Sequence, residues 1–199
     1  MAHARKRTPA AVTREHLLGV AHDLFYWRGI HSVGVDRVAD KAGVAPPTLY
    51  RLFESKDELV EAYLERAGTA YQAWFEDATR ADGRSARGRI LALFDALEQQ
   101  IQPDRCRGCP FLMALSEYPD ARTAVHRRAA GTKAWVRARI RDLVEDLPSI
   151  RDPDALADHL MLLFEGVYAT VSALGHDGPA ARARALVETL LPRENRRRE

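Results

Sequence analysis

A chain of 199 residues with 46% apolar side chains can bury one sizeable core or two small ones, and it holds no apolar run of about 18 residues that could span a bilayer. A formal net charge of +2 excludes a general polycation, so contact with nucleic acid has to come from local clusters such as Arg5-Lys6-Arg7 and Arg196-Arg197-Arg198. The two cysteines, Cys106 and Cys109, share one short segment. They make neither a disulfide scaffold nor a zinc site, and with no apolar stretch behind the N-terminal charges the expectation is a cytoplasmic protein without metal or cofactor.

Residues 1–10 combine basic and small residues with a proline, which predicts a flexible basic arm. Thr13 is the expected cap of a first helix whose apolar face is Leu17, Val20, Ala21, Leu24 and Phe25 and whose end is Gly29. Val35, Val38, Ala39 and Ala42 then recur at three- and four-residue spacing, giving a short amphipathic helix. Gly43 follows it at the position where the backbone needs φ > 0. Ala45-Pro46-Pro47 opens a second short helix, because proline is tolerated in a first turn, where its missing amide would have had no partner. Leu49, Leu52 and Phe53 face inward from it, leaving Thr48, Tyr50 and Arg51 outside. Helix, glycine turn, helix is the arrangement whose second member enters the major groove of DNA. Ser55 with Glu58 is a capping box for the next helix.

That next helix does not stop where a minimal DNA-binding module would. Leu59, Val60, Tyr63, Leu64, Ala67, Ala70, Tyr71, Trp74 and Phe75 extend one stripe to about Arg80. A loop follows at Ala81 to Arg87, and then a further helical unit: Ile90 to Ile101, a short helix from Pro110, and a longer one from near Asp120 that stops by Pro148. No alternating strand pattern occurs. The fold class is all-α, with an N-terminal three-helix helix-turn-helix domain and a C-terminal helical domain. The expected boundaries are 1–10 for the arm, 11–55 for the DNA-binding domain, 56–192 for the second helical domain, and 193–199 for a charged tail. In the last two helices Leu156, Leu160, Leu163, Val167, Val171, Leu186 and Leu190 form apolar stripes; these either complete a monomer core or supply half of a four-helix bundle about a two-fold axis.

The run Ala39 to Ala42, Gly43-Val44, Thr48-Leu49-Tyr50, Phe53, Ser55-Lys56 and Leu59 resembles the N-terminal domain of TetR-type transcriptional repressors, over roughly Thr13 to Tyr63. The resemblance implies a homodimer on a palindromic double-stranded DNA operator. The DNA-contacting positions it implies are Gly34, Val35 and Arg37 on the first helix of the pair, Pro46, Pro47, Thr48, Tyr50 and Arg51 on the reading helix, and Lys56 at a phosphate. Thr48, Tyr50 and Lys56 would position the backbone; the Arg51 fork suits guanine O6 and N7. The chain departs from the family at Gly34, where a Ser or Thr cap is usual and Ser32 is the available substitute, at Pro46, where a polar residue is usual, and at Leu52. The reading surface is thereby poor in hydrogen-bond donors.

The second domain, 56–192, is by resemblance the ligand-binding and dimerisation domain and the site of an unidentified small-molecule effector. Trp74, Phe94, Phe111, Met113, Trp135, Phe164 and Tyr168 can line an apolar pocket or simply fill a core, with Tyr168, Gln99 and His159 as polar anchors. A largely apolar effector follows. Cys106 and Cys109, between Arg105, Arg107 and a helix N-terminus, suggest a redox-sensing repressor as the alternative. The seven histidines are scattered and no nucleophile motif or glycine-rich phosphate loop accompanies them, so an enzyme, or a helical small-molecule-binding protein without DNA binding, is the weaker alternative.

Overall fold

The computed structural model describes residues 9–102 and 106–192, so the basic arm before Pro9 and the tail after Pro192 lie outside the described residues. Within them the chain is helical: α1 Ala10–Arg28, α2 Val35–Lys41, α3 Pro46–Leu52, α4 Lys56–Ala78, α5 Ala86–Gln100, α6 Pro110–Glu117, α7 Ala124–Glu145, α8 Pro153–Leu174 and α9 Ala183–Leu190, with a short 3-10 turn Pro179–Arg182 before the last. No strand occurs among the described residues, and none of their helices is long and apolar enough to cross a membrane.

Two compact units divide the chain. The first takes residues up to Gly68 together with Met113–Ala129, and the second takes Thr69–Leu112 and Ala130 onward. The first unit is therefore larger than the expected 11–55 segment: it includes the first half of α4, most of α6 and the start of α7.

In the first unit α1 begins at Ala10, three residues before the expected cap. Thr13 sits inside it, its hydroxyl bonded to the Pro9 carbonyl, because Ala10 and Ala11 form helix readily without being part of the apolar stripe. Leu17, Leu18, Ala21, Leu24 and Phe25 pack inward, and Gly29 at φ 90° ends the helix by donating to the Phe25 carbonyl at 2.9 Å. Val33, Val38, Ala39, Leu49, Phe53, Leu59, Val60 and Leu64 of the same unit are fully buried as well. His16 Nε2 donates to the Ala42 carbonyl at 3.0 Å, tying α1 to the end of α2.

His22 lies in the same unit between the rings of Tyr26 and Tyr63, at 5.8 and 5.6 Å. Burial holds its pKa below the ordinary 6.5; Asp23 opposes that effect and Arg66 adds to it. Because the unfolded histidine takes up a proton more readily than the folded one, stability present above pH 6.5 is lost as pH falls from there toward the folded pKa. Urea midpoints between pH 7.5 and 5.5 are expected to fall more steeply for the wild type than for His22→Gln.

In the second unit the Ser85 hydroxyl caps α5 by accepting from the Gly88 amide at 3.2 Å, and Asp152 caps α8 by accepting from the Ala155 amide at 2.9 Å. The core contains Phe75, Ile90, Leu93, Phe94, Phe111, Val136, Ile140, Val144, Leu160, Phe164 and Val187. Leu160, Val167 and Val171, expected at a dimer interface, belong to this core. The apolar stripe they form is the one α8 turns inward. Leu156 and Leu163 are half-buried. The exposed leucines are Leu162 and Leu174 on α8 and Leu186 and Leu190 on α9, the last two among the expected interface residues.

Candidate DNA-reading surface and effector core

The turn between α2 and α3 is closed by two backbone bonds. The Gly43 amide donates to the Asp40 carbonyl at 3.0 Å and the Val44 amide to the Ala39 carbonyl at 2.9 Å, the paired pattern that requires a left-handed residue at Gly43, whose φ is 65°. Ala45 is extended and Pro46 and Pro47 occupy the first turn of α3. Leu49 and Phe53 then anchor the helix in the core, and the Arg14 guanidinium lies 5.1 Å above the Phe53 ring. With that face fixed, Pro46, Pro47, Tyr50 and Arg51 are exposed and Thr48 is half-buried. On α2, Gly34 and Arg37 are exposed and Val35 is half-buried. No side chain caps α2: the Ser32 hydroxyl, the expected substitute, turns back to the carbonyls of Arg28 at 2.5 Å and Gly29 at 3.1 Å.

The capping box at α4 is half as expected. Ser55 Oγ accepts from the Glu58 amide at 3.1 Å, but Glu58 Oε2 accepts from the Glu54 amide at 2.5 Å rather than from that of Ser55. With Asp57 and Glu58 in the first turn, this helix start carries negative charge, and a phosphate there would rely on the Lys56 ammonium, whose Nζ is 3.5 Å from the His31 carbonyl.

A carboxylate distant in sequence holds the turn that precedes α2. Glu117 Oε1 accepts from the Ile30 amide at 2.8 Å, and Oε2 accepts from the His31 amide at 2.5 Å and lies 3.2 Å from His31 Nδ1. Next to it the Tyr118 hydroxyl donates to Asp57 Oδ1 at 2.8 Å, the Tyr118 ring stacks on His31 at 4.9 Å, and Arg128 pairs with Glu61 at 3.2 Å. Burial, then the bond to Asp57, pushes the Tyr118 phenol far above its ordinary pKa, so it stays a donor. Hydrogen bonds to a charged acceptor contribute roughly 1.5–3 kcal/mol each. Glu117→Gln replaces one acceptor by an amide NH2, a donor facing a backbone N–H; a loss of about 1–3 kcal/mol in urea unfolding is expected, with weakened DNA binding in gel shifts.

In the second unit the aromatic side chains form one connected cluster: Tyr71 with Trp74 at 5.3 Å and Phe111 at 5.6 Å, Phe164 with Phe94 at 5.9 Å, Tyr168 at 5.8 Å and Trp74 at 6.4 Å, and Phe75 with Trp135 at 5.4 Å. Six of the seven expected pocket residues are thus in this unit; Met113 belongs to the first. Of the expected anchors, Gln99 and His159 are exposed. The amide that meets the Tyr168 hydroxyl is that of Gln100, through a short hydrogen bond. A cleft of about 200 Å³ that shares Phe75 with the cluster also involves Thr79, Arg89, Arg139, Asp142 and Asp146, where Arg89 pairs with Asp146 and Arg139 with Asp142.

The sequence pattern of bacterial regulatory proteins of the tetR family matches residues 17–63, and that of the tetracyclin repressor-like C-terminal domain matches residues 86–187. The chain belongs to the TetR family. A TetR-family transcriptional regulator from Streptomyces coelicolor is 33% identical, superposes with a TM-score of 0.85, and is matched over 90% of this chain and 94% of its own. The HTH-type transcriptional regulator YjdC of Escherichia coli is 24% identical over 89% of this chain and 93% of its own length. The HTH-type transcriptional repressor NemR of the same organism is 31% identical over 61% of this chain and 64% of its own. This TetR-family chain is accordingly a DNA-binding transcriptional regulator and not an enzyme.

In this TetR-family regulator the Cys109 thiol differs from the sequence expectation. Burial pushes its pKa up, and that effect outweighs the nearby Lys133 ammonium and the α6 amide of Leu112, both of which lower it. Arg105 lies outside the described residues. Sequence reasoning passed over Glu117, Lys133 and Glu165. Glu117 carries no local signal, since its partners are 86 and 87 residues away. Lys133 did carry one: it falls on the stripe Ala129, Val136, Ile140 at helical spacing, where a cation is out of place.

Proposed function

We propose that the protein is a ligand-responsive repressor that binds a palindromic operator as a dimer and is released by a small, largely apolar effector. The observation that carries it is the exposed face of α3, with Tyr50 and Arg51 outward on a helix anchored by Leu49 and Phe53. Tyr50, Thr48 and Lys56 suit backbone positioning, Arg51 a base edge, and Pro46 and Pro47 apolar contact with a thymine methyl. A single seven-residue helix reads three or four base pairs, so useful specificity calls for a second copy. The exposed leucines Leu162, Leu174, Leu186 and Leu190 are the surface offered for it. NemR, a relative, is a repressor, which favours that sign of regulation here. Release would follow from a ligand in the aromatic core that favours one of two arrangements of the dimer, and linkage then requires operator DNA to weaken ligand binding by the same factor.

Selection of bound DNA from a random pool, with the full chain, tests the proposal. Enrichment of a two-fold symmetric site with half-sites about a helical turn apart is expected; enrichment of no sequence, or of one unrepeated half-site, would sink it.

A further inference from the structure

One part of the second unit holds buried polar groups that DNA binding does not use. Lys133 is buried, and its Nζ lies 2.8 Å from Glu165 Oε1 and 3.2 Å from Cys109 Sγ, over the rings of Tyr71 at 5.4 Å and Phe111 at 5.5 Å. The ammonium is well surrounded. Its partners are not, because Glu165 Oε2 is buried with no hydrogen-bond partner, and so is the hydroxyl of Tyr71, a residue only 7% exposed. The Tyr168 hydroxyl, near enough to Tyr71 to raise its pKa, is engaged with Gln100. An acceptor without a donor and a hydroxyl without a bond, flanking the same ammonium, are each costly to bury. Burial, above the smaller effect of the neighbouring Tyr168, also pushes the Tyr71 phenol well above its ordinary pKa, so at neutral pH it keeps its proton and is a donor.

The missing group must therefore donate to Glu165 Oε2 and accept from the Tyr71 hydroxyl. A hydroxyl does both through one oxygen. A carboxylate cannot donate and meets Glu165, an ammonium cannot accept and meets Lys133, and a hydrocarbon leaves both atoms unpaired. The Lys133–Glu165 pair carries no net charge, which favours a neutral ligand, and the walls offered by Trp74, Phe111 and Phe164 suit a flat ring. We propose that Glu165, Tyr71 and Lys133 form the recognition site for a neutral aromatic hydroxyl compound, its OH donating to Glu165 Oε2 and accepting from Tyr71 while its ring lies among Trp74, Phe111 and Phe164. The proposal rests on the ligand-responsive reading only for its effect on DNA; binding is measured without DNA.

The test is calorimetric titration of the full chain with p-cresol, toluene, p-toluate and 4-methylbenzylamine. One p-cresol per chain is expected, bound about tenfold or more tighter than toluene, the factor that a hydrogen bond to a charged acceptor supplies, and tighter than either charged analogue. Glu165→Gln should bring p-cresol toward the toluene level. Tyr71→Phe removes one oxygen and should weaken p-cresol but not toluene. No p-cresol binding, as expected if water alone fills the gap, overturns the site, as do equal affinities for p-cresol and toluene in the wild type, or p-cresol affinity unchanged in both variants. A gel shift on the selected operator separates the two proposals: Glu165-dependent p-cresol binding that leaves DNA affinity unchanged supports the site and overturns control by this ligand.

Discussion

Arg51→Ala is expected to weaken binding to the selected operator by about 1–3 kcal/mol per half-site and to relax the base preference at one position of each half-site. In a symmetric dimer the change occurs twice, so about 2–6 kcal/mol, about thirtyfold or much more, is the expected loss. The size follows from placement. Arg51 is exposed in the last turn of α3, and among the described residues no carboxylate pairs with it, so binding need not first break an ion pair. Its neighbours offer little to replace it, since Pro46 and Pro47 have no donor and Leu52 is apolar. Lys56→Met is the contrasting variant. A point charge at a phosphate should lower affinity for all sequences alike and reduce the salt-dependence slope by about one for each phosphate left without its lysine. Gel-shift titrations at several salt concentrations, on the selected site and on a scrambled duplex, separate the two. An Arg51→Ala loss equal on both duplexes would assign Arg51 to the backbone instead.

The first unit was largely legible because its information is local. Leu17, Ala21, Leu24 and Phe25 repeat at helical spacing, Gly43 sits where φ must be positive, and the proline pair can only open a helix. Where two local partners compete, the sequence did not decide: the Ser32 hydroxyl chose the carbonyls behind it over the α2 amides ahead, and Glu58 reached Glu54 in place of Ser55. What was illegible depends on neighbours far along the chain. Nothing near Glu117 says that its carboxylate will hold the Ile30 and His31 amides. One position around a helix decides whether Gln99 or Gln100 faces Tyr168, and apolar spacing alone marks a buried stripe without saying whether the core or a second copy buries it. For Leu160, Val167 and Val171 it was the core. Lys133 stands among Arg127, Arg128, Arg137, Arg139 and Arg141, a run that looks like a solvated face, yet its register turns it inward.

Lys133→Met is expected to destabilise the second unit by about 3–5 kcal/mol, the usual consequence of leaving one member of a buried ion pair without its counter-charge. Both side chains are well inside, 11% exposed for Lys133 and 18% for Glu165, so solvent screens the loss little. Part of it comes from the two rings the ammonium overlies. The double variant Lys133→Met/Glu165→Met decides what the pair is for. Two apolar side chains of similar volume restore packing without desolvated charge, and replacement of this kind is often neutral or stabilising. Urea unfolding of both single variants and the double closes the cycle. A double variant as stable as the wild type would mean that the pair contributes no net stability, so its place in an aromatic core would be owed to what it recognises. A double variant as unstable as the singles would make the pair structural. The unpartnered Glu165 oxygen and Tyr71 hydroxyl would then be a by-product of holding the core in register.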